Sequence, residues 1–115
     1  MIYHIAKLED FALSMSRGSY FPGHFLQDGF IHCSTKNQVL TVANTWFLDS
    51  TNLVLLEIDD QMLHADVKFE NLEGGKELYP HIYGEILLSA ISRYSFFTPQ
   101  SSGFSFPSEW IDVER

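Results

Sequence analysis

Apolar residues recur along this chain in helical and strand patterns by turns, and the alternation between the two predicts its elements. Residues 2–6 are rich in strand-forming side chains and predict an opening strand. Leu8, Phe11, Ala12 and Met15 then stand at i, i+3, i+4 and i+7, the stripe of one helix face. Glu9 and Asp10 lie in the first turn of that helix, and Gly18 is its expected stop. Residues 19–28 contain Pro22 and Gly23 together with Tyr20, Phe21 and Phe25, rings that need burial, so an ordered loop is expected there. A short strand at 30–33 leads to a helix capped by Ser34 or Thr35, with a stripe of Val39, Val42, Ala43 and Trp46 and with Leu40 and Phe47 beside it.

Residues 53–59 begin apolar on both faces, which predicts a central strand. Residues 67–70 alternate like a half-buried strand, and 71–76 form a turn around Gly74-Gly75. Short strands are expected at 81–84 and 93–97, while 86–91 is apolar without a decisive period. Two early helices followed by hairpin-linked strands predict one α+β domain over residues 1–98, with a small, curved, mixed or antiparallel sheet. Residues 99–115 carry two prolines, a Ser-Ser-Gly turn, Phe104, Phe106 and Trp110. They are either a loose tail or an arm that packs its rings back.

Composition narrows the functional classes. The 115 residues are 45% hydrophobic, enough for one core. Fifteen acids against seven bases leave a net charge of −8. A field of that sign repels phosphate backbones and anionic membrane surfaces, so neither nucleic acid nor membrane is an expected partner. Cys33 is the only cysteine, which excludes an internal disulfide. No leader pattern and no apolar stretch of membrane-spanning length is visible, and the cytoplasm is the expected compartment.

Five histidines are many for so acidic a chain. Three stand in strand-like segments: Tyr3-His4, Phe30-Ile31-His32-Cys33-Ser34 and Pro80-His81-Ile82-Tyr83-Gly84. Alternation puts His32 with Ser34 on one face, and His81 with Tyr83 on one face, each pair backed by apolar neighbours. That pattern suits a sheet with one face on the core and one lining a cleft. Each residue also has a structural reading: a hydrogen-bonded strand histidine, a core tyrosine at Tyr3 or Tyr83, a buried thiol at Cys33, a surface ion-pair partner at Glu70. His24 and His64 fall in loop-like segments. His4, His32, His81 and Glu70 are all possible zinc ligands, yet no pair has the close spacing of a zinc motif, and no metal site is assigned.

The segment Gly29-Phe30-Ile31-His32-Cys33-Ser34, with Gln38 and Ala43-Asn44 after it, resembles the central motif of the domain of unknown function 952 family. So do Ile2-Tyr3-His4-Ile5, the 53–59 segment, Val67-Lys68-Phe69-Glu70 and Tyr79-Pro80-His81-Ile82-Tyr83-Gly84, in the same order, over residues 1 to 97. The family in turn is similar to a reduced ADP-ribosyltransferase fold. That resemblance implies that His4 holds the ribose of an NAD-like ligand, that His32 contributes to the pocket, and that His81 and Tyr83 stand on the strand where many transferases place a catalytic glutamate. Glu70 is the family-type acid, whereas Glu85 takes no role. The arginines, Arg17, Arg93 and Arg115, are not beside a motif histidine in sequence, which argues against catalysis on an RNA phosphate.

The reading is therefore a pocket for a nucleotide or NAD-like small molecule, with His32 and His81 as candidate catalytic groups. His4, Ser34 and Tyr83 are its binding groups, Tyr83 stacks on a base or nicotinamide, and Glu70 stands at the edge. Two other classes remain open at this point: a non-catalytic interaction module whose aromatic arm docks a partner or a second copy, and a metal-dependent hydrolase.

Overall fold

The computed structural model describes residues 1–72 and 74–110. Its centre is β4 (Leu53–Ile58), all six residues of which are buried, as the doubly apolar segment predicts. It pairs antiparallel with β1 (Ile2–Lys7) in the register Ile2↔Ile58 to Lys7↔Leu53, and on its other edge with β8 (Ile91–Phe96). Strand alternation divides this sheet between two cores. Ile2, Ala6, Val54, Leu56 and Ile58 face one, with Phe11, Tyr20, Ile31 and Ile82. Tyr3, Leu53 and Leu55 face the other, with Val39, Ala43, Phe97, Phe104 and Trp110.

The expected single sheet, mixed or antiparallel, is divided into three short ones, all antiparallel. β3 (Ile31–His32), β6 (Tyr79–Ile82) and β5 (Val67–Glu70) form the second, in the order β3-β6-β5, and β2 (Ser19–Tyr20) pairs with β7 (Ile86–Leu87). The first two are joined where the backbones of Tyr3 and Ser34 exchange hydrogen bonds of 2.8 Å. Beyond Ser34 the chain turns toward a helix, so pairing with β1 goes no further. The α+β class stands, with antiparallel sheets and few helices.

α1 (Leu8–Arg17) ends at Gly18, whose φ of 83° is the left-handed cap and whose N–H donates to Ser14 O at 2.8 Å. Its inner face differs from the apolar stripe: Phe11 and Ser14 are buried and Met15 is 53% exposed. Phe11 packs between Tyr20 and Tyr94, and Ser14 fits inside because its hydroxyl donates to Phe11 O at 2.5 Å. A one-turn helix, α2 (Phe25–Asp28), occupies part of the expected loop.

α3 (Val39–Trp46) buries Val39 and Ala43 but leaves Trp46 75% exposed. Neither Ser34 nor Thr35 caps it through a side chain. Gln38 accepts from Thr35 N–H at 3.0 Å, and its amide donates to Leu78 O at 2.8 Å, tying the helix entrance to the hairpin before β6. The ambiguous 86–91 segment resolves into β7, a 3-10 turn at Leu88–Ala90 and the start of β8.

Residues 97–110 fold back as an arm rather than a loose tail. Phe104 lies 4.6 Å from Phe97 between ring centroids, and its N–H donates to Asn44 Oδ1 at 2.8 Å. Phe104 and Trp110 are buried within their own chain, with Phe106 partly buried beside them. The arm's last residues, Ile111 and Arg115 among them, lie outside the described residues. No described helix is long and apolar enough to cross a membrane.

Candidate functional site

A cleft of about 580 Å³ is bordered by β1, β3, β6 and α3. His4, His32, Ser34 and His81, drawn from three strands far apart in sequence, all line it. Tyr3, Tyr20 and Tyr79 add phenol rings, and Val42, Trp46 and Phe47 form an apolar wall from α3. Lys7 and Lys76 bring positive charge, set against Asp10 and Glu77.

His4 is buried, and both of its ring nitrogens are engaged. The carbonyl of His32, 2.6 Å from Nδ1, can only accept, so Nδ1 carries the proton. Nε2 is then the acceptor for the Tyr20 hydroxyl at 2.8 Å. Burial lowers the imidazole from 6.5 to about 4; the His32 carbonyl opposes that, while the nearby His32 and His24 rings add to it. His4 is therefore neutral, in a fixed tautomer. Burial likewise pushes the Tyr20 phenol and the Cys33 thiol well above their ordinary values, which leaves Cys33 an inert core thiol.

His32 and His81 are cross-strand partners in the β3–β6 pair. Their rings meet edge-to-face with centroids 5.4 Å apart. His32 is half-exposed, and its Nε2 lies 3.4 Å from Asp28 Oδ2, the same oxygen that His24 Nε2 approaches at 3.2 Å. His24, an apparent loop residue, thereby joins the cleft wall. Ser34 is buried, and its backbone holds the junction with Tyr3.

His81 is almost wholly enclosed, and its Nδ1 lies 2.9 Å from Glu70 Oε1. The Tyr83 hydroxyl donates to the same oxygen at 2.5 Å. The bonds from Tyr83 and His81 hold the Glu70 carboxyl below its usual range, and the hydrogen bond to Glu70 raises the Tyr83 phenol. Phe30 stacks on His81 at 4.3 Å, and Lys68 lies over the Tyr83 ring at 4.9 Å. Tyr83 and Glu70 thus stand behind the cleft rather than in its lining, so Tyr83 is not placed to stack on a ligand there.

A second polar cluster had no signal in the sequence. Glu57, buried on β4, accepts from Tyr3 Oη at 2.8 Å and from Arg93 Nε and Nη2 at 2.9 and 3.1 Å. Burial alone would raise Glu57, yet the Arg93 and Tyr3 bonds hold it below the usual carboxylate range. Burial and Glu57 together raise the Tyr3 phenol to about 12. Arg93 also lies 4.7 Å over the Trp110 ring, which seats the arm on this cluster. Among the described residues no three His, Cys, Asp or Glu side chains gather as a metal site.

The family model described as "Protein of unknown function (DUF952)" matches residues 5–94. The chain belongs to the DUF952 family. Among solved structures it is similar to the crystal structure of protein CC0527 from Caulobacter crescentus, at 32% identity and a TM-score of 0.78, covering 90% of each chain. The solution structure of the same protein matches at 30% identity and a TM-score of 0.77, covering 98% of this chain and 97% of that one. No curated protein matches. The DUF952 match takes in His32, Ser34, Glu70, His81 and Tyr83, and His4 lies just outside its start.

Proposed function

We propose that the cleft binds a nucleotide or NAD-like small molecule. The observation that carries this reading is the convergence of His4, His32 and His81 on one concave space of about 580 Å³. Sites for small molecules have volumes of roughly 300–1,000 Å³, mostly apolar walls and a few convergent polar groups. Here the wall of Val42, Trp46 and Phe47 suits a flat base, His32 and Tyr79 suit ribose hydroxyls, and Lys7 and Lys76 suit phosphate oxygens. The resemblance of the family to a reduced ADP-ribosyltransferase fold points to the same ligand class.

Thermal unfolding with and without millimolar NAD, beside a His32→Ala variant, tests the reading. A ligand at a hundred times its dissociation constant stabilises by about 2.7 kcal/mol. At about 4 °C per kcal/mol that raises the midpoint by about 10 °C. His32 is half-exposed, so its truncation leaves the core intact while removing the shift. No rise with NAD, AMP or ADP-ribose would exclude this ligand class.

A further inference from the structure

Two buried histidines in the cleft wall differ in one respect. Both nitrogens of His4 are occupied, as a purely structural imidazole requires. His81 has only Nδ1 engaged, by Glu70, and its Nε2 has no hydrogen-bond partner among the described residues. No buried side-chain nitrogen or oxygen there lacks a partner, so Nε2 keeps exposed surface of its own. His81 is 1% exposed and lines the cleft, and Nε2 holds part of that small open surface.

The rest of the cluster sets that nitrogen. An ionised Glu70 can only accept, so Nδ1 carries the proton, and in the neutral ring the bare lone pair sits on Nε2. Tyr83 donates to the same carboxylate oxygen and steadies it, while Phe30 stacks on the ring at 27° between planes. A carboxylate behind one nitrogen and an open lone pair at the other is the arrangement that general-base chemistry needs.

The geometry points to His81 as the general base of the cleft, positioned by Glu70, for a hydroxyl held there: that of a bound alcohol or sugar, or water. This rests on the cleft being a small-molecule site and adds a reaction step to it. The proton passes from the hydroxyl oxygen to Nε2, the oxygen keeps the electron pair, and the new imidazolium faces the Glu70 carboxylate. Glu70 and Tyr83 act through His81 and touch no substrate.

Imidazole ¹⁵N spectra of the ligand-free protein read the tautomer directly. The expected result is a protonated Nδ1 and a bare Nε2 at His81, shifting toward protonated Nε2 in Glu70→Ala. A protonated Nε2 in the neutral wild-type ring, or no change in Glu70→Ala, would overturn the assignment. Hydrolysis of 4-nitrophenyl acetate probes the base. Water passes a proton to Nε2, its oxygen bonds to the acyl carbon, and 4-nitrophenolate leaves with its electron pair. The protein-dependent rate is expected to fall about tenfold in His81→Asn and in Glu70→Ala, and to hold in His64→Ala. A wild-type rate in a folded His81→Asn protein sinks the proposal; should that variant not fold, the rate and spectrum of Glu70→Ala decide. Neither readout uses NAD, so a failed nucleotide reading and a failed base are separate results.

Discussion

The Tyr20 hydroxyl is the donor that completes the buried His4, and its ring has no exposed surface. Tyr20→Phe keeps the ring and leaves Nε2 without a partner in the core. The expected loss is about 1–3 kcal/mol in urea unfolding at neutral pH; an unchanged midpoint would mean that water replaces the hydroxyl. The cleft-lining histidines His4, His32 and His81 were legible as strand residues because side-chain direction has a period of two. Their partners were not. Tyr20 is 16 positions from His4, Glu70 is 11 from His81, and Glu57 is 54 from Tyr3. No local pattern encodes which distant side chain completes a hydrogen bond.

At the scale of elements, β4 and the stop of α1 at Gly18 follow from sequence, whereas the inner faces of α1 and α3 do not. Trp46 belongs to the apolar stripe of α3 yet is exposed and borders the cleft, whereas Val39 and Ala43 of the same stripe are buried in the core that the arm completes. One backbone position in the arm is tightly constrained. Gly103 has φ of 105°, and a Cβ there would lie 2.6 Å from Asn44 Oδ1, the oxygen that accepts from Phe104 N–H. Gly103→Ala is expected to cost about 1–3 kcal/mol and to speed hydrogen exchange at the Phe104 amide more than in β4. Equal exchange at both places would show that the arm does not open by itself.

For the whole molecule, acid is the expected weakness. The folded His4 titrates at about 4 against 6.5 in the unfolded chain, so between these values the unfolded state binds the extra proton. Stability is therefore complete above about pH 6.5 and falls by about 3 kcal/mol by pH 4. Glu57 and Glu70, both lowered in the fold, add to the loss as pH falls below the ordinary carboxylate range. Relief of the −8 net charge acts in the opposite sense, spread over the surface. Urea midpoints at pH 7 and pH 4.5 should show the fall, and His4→Gln should flatten the part of it between pH 6.5 and 4.5. A midpoint that holds down to pH 4.5 would mean that His4 takes up its proton inside the fold.

Periodicity and composition by themselves determined the α+β class, the central strand and the presence of α1 and α3, because these depend on neighbours within a few residues. Tertiary structure alone decided that the sheet splits in three, that the arm packs home, and that His4, His32 and His81 share a cleft while Tyr83 and Glu70 stand behind it. Those outcomes depend on which buried surfaces and polar atoms meet across tens of residues, a choice settled only when the whole chain excludes water at once.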